Sequence, residues 1–282
     1  MLKNWYSDFP TPEEESMLLK RVLVVVLLLV IVGGSLPRLA HAQNGLSIEF
    51  PIPSGPYAVG RATYEWVDAS RAEVFTDAPD DVRDLLVTVY YPAEVPADAV
   101  PAPYISEEVG AAFGLPAFLI EQIHTQVYAD VPAVNEAFPV LIFSPGMGGI
   151  PLLYSSLLTE LTSQGYVIMA LWHPYSSLFV SYPDGRSVEG NAAGAPDFTQ
   201  DPETELERLG AVWVGDMRFV LDQLPQLNTD DDLLAGRLDM ERIGAFGHSF
   251  GGATSVQTAY EDERLDAAIN MDGTMFGDVI EQ

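Results

Sequence analysis

Apolar strand-like runs alternate with helix-like segments through most of the second half of the sequence. Runs such as Phe138–Phe143 and Tyr166–Trp172 are continuously apolar, as in strands buried on both faces. The segment Thr204–Leu224 has apolar residues at i, i+3 and i+4 spacing, which indicates an amphipathic helix. Strands joined by helices form a parallel sheet, which places its chemistry at the carboxyl ends of the strands. We therefore predict an α/β fold over residues 43–282, with a mostly parallel sheet and helices on both faces.

The same patterns place the other elements of this domain. Thr204 and Glu207 form a capping-box pattern at the start of the long helix. A helix within Val109–Ala129 is expected to cover a site. The other predicted strands are Ala62–Val67, Asp84–Tyr91, Arg242–Phe246 and Asp266–Met271, and the other predicted helices are Leu152–Ser163 and Gly251–Tyr260.

The chain is strongly acidic, with 13 basic against 41 acidic residues and a formal net charge of −28. Such a surface repels phosphate backbones, so no nucleic-acid partner is expected, and it is typical of a very soluble protein or a salty habitat. The absence of cysteine excludes disulfides, a thiol nucleophile and cysteine-ligated zinc. The acidic stretch Thr76–Asp84 lacks the spacing of a calcium-binding EF-hand, and we predict no metal and no organic cofactor.

The N-terminus has the features of a secretory leader. Lys20 and Arg21 precede the apolar run Val22–Val32, and the small-x-small triplet at 40–42 offers a cleavage site. The run is shorter than the roughly 18 apolar residues that a membrane-spanning helix requires. We expect residues 1–42 to be the signal peptide of a secreted or periplasmic protein, with an uncleaved membrane anchor as the alternative.

The pentapeptide GHSFG at 247–251 has the GxSxG pattern of a nucleophile elbow. A predicted strand precedes it and a helix that begins with small residues follows it, which is the strand–turn–helix setting of such an elbow. The turn would expose the hydroxyl of Ser249 at a helix N-terminus, where negative charge is stabilised. Gly247 and Gly251 would let strand and helix pass closely. A glycine-rich helix start with serine as its cap is the alternative interpretation.

A second glycine-rich loop, FSPGMGG at 143–149, follows the strand Phe138–Phe143. Acyl transfer requires two backbone N–H donors that point at the developing oxyanion. In a serine hydrolase with this elbow, one donor follows the nucleophile and the other lies in the loop after the third strand. We therefore predict an oxyanion hole formed by the N–H groups of Phe250 and Met147, against the alternative of a plain glycine-rich turn.

Asp272 ends the mostly apolar run Ala267–Met271 and precedes Gly273. A carboxylate at a strand end can orient a catalytic histidine and stabilise its imidazolium form. An ordinary Asp-Gly turn is the alternative. The place of Asp272 one strand after Ser249 favours the catalytic role.

Two long stretches resemble the platelet-activating-factor acetylhydrolase family, the secreted group VII phospholipases A2. They are residues 247–276, around the GHSFG pentapeptide, and residues 140–173, around the second glycine loop and the LYS triplet at 153–155. Residues 55–60 and 85–94 are similar to the start of bacterial relatives, which grade into dienelactone-hydrolase-like esterases. One departure is Pro145, where the best-known members of the family carry histidine.

The resemblance implies an α/β-hydrolase fold whose chemistry does not use calcium. It implies that Ser249 is the nucleophile and Asp272 the acid of the triad. It also implies that the amides of Met147 and Phe250 form the oxyanion hole.

The sequence contains no histidine after Asp272, although this fold orders its triad as serine, acid, histidine. Of the four histidines, His41 lies in the leader, His124 is expected at the surface, His248 points away from the cleft, and His173 is expected as a structural polar residue lining the site. The last two strands of an eight-stranded fold are also absent. We expect a truncated chain with little activity and an exposed apolar edge strand.

The predicted function is hydrolysis of a carboxylic ester through an acyl-enzyme. The resemblance implies a phospholipid substrate with a short or oxidised sn-2 acyl chain, a role in lipid catabolism and transient contact with lipid aggregates. A dienelactone-hydrolase-like or cutinase-like esterase acting on non-lipid esters is one alternative. A non-catalytic lipid- or partner-binding protein that has lost its triad is the alternative from another class.

Overall fold

The computed structural model describes residues 38–42, 45–106, 109–110, 114–197 and 199–281. Most of the predicted leader therefore lies outside the described residues, and its residues 38–42 form a strand that pairs antiparallel with the next one. In the part of the chain that is described, no helix has the length and apolarity to cross a membrane.

The described elements alternate between strands and helices after residue 138. The strands are β1 Arg38–Ala42, β2 Gly45–Glu49, β3 Ala58–Ala72, β4 Val82–Ala93, β5 Ile123–His124, β6 Val127–Ala129, β7 Phe138–Ser144, β8 Val167–Trp172, β9 Phe179–Ser181, β10 Ser187–Glu189, β11 Leu238–His248 and β12 Ala267–Met271. The helices are α1 Ala117–Ile120, α2 Ser155–Ser163, α3 Pro202–Asp230 and α4 Phe250–Glu261, with 3-10 turns at Pro151–Tyr154 and Asp278–Glu281.

Seven strands form the main sheet in the order β12-β11-β7-β8-β4-β3-β6. The four strands from β12 to β8 run parallel, while β4 is antiparallel to both β8 and β3. The carboxyl ends of β7, β11 and β12 therefore meet at one edge of the sheet, where the two glycine loops and Asp272 follow them. This arrangement agrees with the predicted α/β fold and brings the three predicted strand ends side by side.

Helices cover both faces of this sheet. On one face, α3 buries Met217, Leu221 and Leu224 against strand residues such as Val87 and Met169. The opposite face is covered by α2, whose Leu158 lies in a cluster with Phe143, Ile168 and Ala170. Side chains alternate between the two faces along β7 and β8, which explains why these strands are apolar throughout.

The segment Val109–Ala129 contains helical residues, as predicted, but they are few. Residues 109–110 are helical and α1 is a single turn, but the chain then forms β5 and β6. Gly114 has a left-handed φ of 65° and Pro116 is extended, so the helix cannot continue through them. The short strands that follow pair with β2 and β3, which satisfies their backbone groups.

The predicted cap of the long helix also needs correction. The N-cap is Asp201, whose carboxylate accepts the N–H of Thr204 at 3.0 Å. Pro202 occupies the first helical position, where its fixed φ suits the helix and its missing N–H costs nothing. The helix runs on through Pro225 to Asp230.

The layered core predicts a large difference between buried and exposed isoleucines. Ile168 has 0% of its surface exposed, whereas Ile52 has 80% exposed. We expect Ile168→Ala to lower the free energy of unfolding by about 2–5 kcal/mol, because it leaves a cavity between the sheet and α2. Ile52→Ala, the matched control, should change it by less than about 0.5 kcal/mol. Urea unfolding of both variants is the measurement, and equal losses would contradict this core assignment.

Candidate active site

Ser249 lies on a strained turn between β11 and α4. Its φ is 52° and its ψ is −124°, a left-handed conformation that a residue with a side chain rarely adopts. A Cβ added to Gly251 would lie 2.2 Å from the carbonyl oxygen of Pro145, and one added to Gly247 would lie 2.4 Å from the Gly251 backbone. Only glycine permits these close approaches, so strand β11 turns sharply into helix α4 at Ser249.

The backbone of Ser249 is fixed from two sides. Its N–H donates to the carbonyl of Met271 at 2.8 Å, and its own carbonyl accepts the N–H groups of Gly252 and Ala253 at 3.0 and 3.1 Å. The side chain is half-buried, and its hydroxyl makes no hydrogen bond within the described residues. The serine is therefore held rigidly while its Oγ is left unpaired.

The second glycine loop runs directly beside the serine. A Cβ added to Gly146 would lie 3.4 Å from the Cβ of Ser249. The N–H of Gly148 donates to the carbonyl of Ser176, and the N–H of Gly149 donates to that of Gly146. By contrast, the N–H of Met147 has no acceptor in the described part of the chain.

Phe250 occupies the first position of α4, where a backbone N–H has no intrahelical partner. It too lacks an acceptor among the residues that the structure describes. The loop of Met147 and the turn of Phe250 flank the same serine, and each offers an unpaired amide. An oxyanion hole requires two such amides directed at one point.

Tyr154 links this loop to the elbow. Its hydroxyl accepts the N–H of Gly146 at 3.1 Å and lies 2.9 Å from Nδ1 of His248. Burial raises the pKa of Tyr154 above its ordinary value, so the phenol keeps its proton at neutral pH. The tyrosine of the LYS triplet therefore fixes the position of Gly146 relative to the residue before Ser249.

Asp272 directly follows β12 and has a φ of 63°. Its two chain neighbours both contact the serine: Met271 accepts the Ser249 N–H, and a Cβ added to Gly273 would lie 2.1 Å from the Ser249 carbonyl oxygen. The carboxylate is exposed and has no hydrogen-bond or ion-pair partner within the described residues. Asp272 is thus free to accept a hydrogen bond next to the elbow, as predicted for the acid of a triad.

None of the histidines with described side chains is bonded to Ser249. His124 is exposed and lies 4.0 Å from Glu49. His248 shares its Nδ1 with Tyr154. His173 was expected to line the site, but it is fully buried with both ring nitrogens engaged, so it cannot act as the base for Ser249.

His173 belongs to a buried network that the sequence did not reveal. Its Nε2 lies 2.9 Å from Oγ of Ser144, and its Nδ1 lies 2.8 Å from Oδ2 of Asp216. Arg83 binds the same carboxylate through two nitrogens at 2.7 and 3.0 Å and also binds Glu73 at 2.7 Å. A charged residue on the apolar face of α3 was the signal that could have drawn attention to Asp216.

The network keeps Asp216 ionised and His173 neutral. Burial by itself would raise the pKa of Asp216, but the charge of Arg83 and the hydrogen bonds from His173 and Arg83 hold it well below its usual range. Burial lowers the pKa of His173, and the opposing attraction of Asp216 does not restore it. The imidazole is therefore uncharged at neutral pH.

A cavity of about 350 Å³ lies at the end of β8, on the face of the sheet that α2 also covers. Its wall includes Leu86, Tyr104 and Trp172, and Arg61 is the one charged residue among those that line it. Arg61 donates to backbone carbonyls and has no carboxylate partner in the described part of this acidic chain. The cavity thus combines apolar walls with one cationic side chain. Among the described residues, no cluster of three or more His, Cys, Asp or Glu is arranged to hold a metal.

The Tyr154 link predicts a local effect of removing one hydroxyl. Tyr154→Phe should lower the free energy of unfolding by about 1–3 kcal/mol, because it leaves the Gly146 N–H without its acceptor. Hydrogen exchange at the Gly146 amide should also become faster. Tyr91→Phe is the matched control, since its buried hydroxyl donates to the carbonyl of Val131 instead. If both variants left Gly146 equally protected, Tyr154 would not hold the loop.

Comparison with known proteins agrees with this geometry. The model of the family "Platelet-activating factor acetylhydrolase, isoform II" matches residues 44–191 and 203–279. A probable 1-alkyl-2-acetylglycerophosphocholine esterase of Arthroderma benhamiae is 30% identical over 254 residues, 83% of this chain and 61% of that protein. The platelet-activating factor acetylhydrolase of Cavia porcellus is 32% identical over 158 residues, 50% of this chain and 36% of that protein.

A solved structure shows the same fold. The ferulic acid esterase from Streptomyces cinnamoneus is 32% identical, with a TM-score of 0.68 over 82% of this chain and 63% of that one. The chain thus spans less than two thirds of each of these proteins, from 36% to 63% of their length. It has the α/β-hydrolase fold and belongs to the platelet-activating factor acetylhydrolase isoform II family.

Proposed function

We propose that the protein is a serine carboxylic-ester hydrolase with Ser249 as its nucleophile. The observation that carries this proposal is the strained, unpaired serine flanked by two amides without acceptors, those of Met147 and Phe250. Asp272 next to the elbow offers the carboxylate that a triad requires. Family membership supports the same assignment.

In the proposed reaction, Oγ of Ser249 attacks the ester carbonyl while an imidazole takes its proton. The amides of Met147 and Phe250 stabilise the oxyanion of the tetrahedral intermediate. The intermediate collapses to an acyl-enzyme as the imidazolium returns the proton to the departing alcohol. Water then attacks the acyl-enzyme by the same route and releases the acid. Asp272 would hold the imidazole and stabilise its charged form.

The base in this proposal is a histidine that is not among those with described side chains. His173 has both ring nitrogens engaged, and neither His124 nor His248 is hydrogen-bonded to Ser249. A serine hydroxyl without a base is a poor nucleophile near neutral pH. Without such a base the protein would hydrolyse esters slowly.

The proposed substrate is a phospholipid with a short or oxidised sn-2 acyl chain. The fungal and mammalian relatives carry names of enzymes that hydrolyse such esters. The cavity lined by Arg61 offers a place for an anionic group beside apolar walls. Such a role belongs to lipid catabolism and involves transient contact with lipid aggregates. The features of residues 1–42 favour a secreted or periplasmic enzyme.

A second candidate is an esterase that acts on esters of aromatic acids. The ferulic acid esterase covers a larger share of this chain than the mammalian relative does, at similar identity. The serine, the two amides and the acid would serve both substrates equally, so only the substrate pocket separates them. A catalytically inactive binding protein is disfavoured, because such a protein has no need of a strained serine beside unpaired amides.

Replacement of the nucleophile tests the proposal directly. In the full-length protein, Ser249→Ala should abolish labelling by a fluorophosphonate probe and reduce ester hydrolysis to background, because no other described hydroxyl has this setting. Ser255→Ala, which removes a buried hydroxyl from α4, should retain both. Mass spectrometry would locate the label. Absence of label on Ser249 in the unaltered protein would favour the inactive binder.

The substrate class is tested by parallel assays of the same protein. We expect a higher kcat/KM for 1-alkyl-2-acetylglycerophosphocholine than for methyl ferulate. The reverse order would favour the aromatic-ester esterase. Hydrolysis of neither, with good turnover of p-nitrophenyl acetate, would favour an esterase acting on other non-lipid esters.

Asp272 provides a second test of the triad. Asp272→Asn should lower kcat by about 10³–10⁴-fold, because the amide favours the wrong tautomer of the base and leaves its charged form unstabilised. Asp278→Asn is the matched control, since that residue is also exposed near the C-terminal end of the described chain. Steady-state hydrolysis of p-nitrophenyl acetate by the full-length protein is the measurement. Equal activity of the two variants would remove Asp272 from the mechanism.

A further inference from the structure

Ser144, His173 and Asp216 are hydrogen-bonded in the order of a Ser-His-Asp triad, yet all three are inaccessible. Each has 0% of its surface exposed. A substrate carbonyl cannot reach the Ser144 hydroxyl, so these residues do not form a second active site. Their role has to be sought in the backbone and rings that they contact.

The Asp216 carboxylate determines how the imidazole is used. It accepts a hydrogen bond from Nδ1, which therefore carries the ring proton, and Nε2 is left with a lone pair. The Ser144 hydroxyl must then donate to Nε2, which lies 2.9 Å away. Arg83 and Arg71 both bind Asp216 and hold the carboxylate in place. The arginines thus hold the carboxylate, the carboxylate determines the tautomer of His173, and that tautomer makes the Ser144 hydroxyl the donor.

One end of this chain reaches the Met147 loop. Ser144 is the last residue of β7, and the loop with the unpaired Met147 amide begins at the next residue. The Ser144 carbonyl is also where the elbow packs, since a Cβ added to Gly251 would lie 2.3 Å from it. A shift of Ser144 would therefore move the loop relative to Ser249.

The imidazole ring is connected to Phe250 through a series of aromatic ring contacts. The ring of His173 lies parallel to that of Trp213, with centroids 3.7 Å apart and an angle of 10°. Trp213 in turn meets the ring of Phe250 edge-on, with centroids 5.0 Å apart. Phe250 is the residue whose backbone N–H is the second proposed oxyanion donor.

We propose that His173 is a positioning residue that fixes both oxyanion donors, the Met147 amide through Ser144 and the Phe250 amide through Trp213. The ligand that this device serves is the tetrahedral oxyanion formed from a carboxylic ester, so the inference rests on the proposed function. The imidazole itself does not touch the substrate. It acts by holding two backbone segments, the loop after β7 and the start of α4, in a fixed position relative to each other.

Ser144→Ala in the full-length protein is the test, because it removes one hydroxyl and leaves the buried charges paired. We expect kcat for p-nitrophenyl acetate to fall about 10–100-fold with KM nearly unchanged, since misplacement of a donor weakens binding of the transition state alone. Ser163→Ala is the matched control: that serine is equally buried and its hydroxyl donates to the carbonyl of Glu160 at 2.7 Å. It should leave both constants unchanged.

Trp213→Phe tests the second route, and hydrogen exchange gives a readout that needs no turnover. We expect Trp213→Phe to lower kcat in the same way. Exchange at the amides of residues 146–149 should become faster in Ser144→Ala but not in Ser163→Ala. An unchanged kcat in Ser144→Ala, or an equal fall in both serine variants, would overturn the inference.

The same experiment separates this inference from the proposed function. If the unaltered full-length protein hydrolysed no ester, the proposed function would fail, and the exchange rates would then decide the inference. Faster exchange confined to Ser144→Ala would support a positioning role for His173. Identical exchange in both serine variants would refute it.

Discussion

The left-handed backbone of Ser249 is the constraint on which the arrangement of this site depends. A residue with a side chain held in such a conformation costs on the order of 1–3 kcal/mol, so it persists only where its surroundings leave no alternative. Here β12 accepts the serine N–H, α4 donates to the serine carbonyl, and Gly251 packs against the carbonyls of Ser144 and Pro145. The pairing of β12, β11 and β7, together with the loop after β7, therefore keeps Ser249 in its strained conformation.

The buried charges beneath the site are better explained by specificity than by stability. Removing Arg83, Glu73 and Asp216 from water is costly, and their mutual attraction offsets that cost only in part. What the cluster does is connect β4, the end of β8 and α3 through directional contacts, which apolar packing alone would not provide. Because His173 extends the cluster to Ser144, this connection reaches the backbone beside the nucleophile.

The sequence was informative wherever a feature is local. The elbow and the second glycine loop were predicted from short patterns at the ends of apolar runs, and the structure brings them together with Asp272 at one sheet edge. The polar network was missed, because Arg83, His173 and Asp216 are distant in the chain and meet only in the fold. The segment Val109–Ala129 has only short helical pieces for a related reason: apolar spacing does not reveal that its end pairs with β2 and β3.

The most firmly fixed groups of the site give the least information about the substrate. The strained serine, the two amides and the acid stabilise the same oxyanion whether the ester belongs to a phospholipid or to an aromatic acid. On the proposed function, selectivity would arise outside these groups, in segments such as the stretch between β4 and β7, which departs from strand–helix alternation. Arg61, which lines the cavity of about 350 Å³, has no carboxylate partner among the described residues and donates instead to the carbonyls of Pro103 and Tyr104. The proposed preference for a phospholipid therefore rests on the family to which the chain belongs, because the catalytic groups favour neither ester.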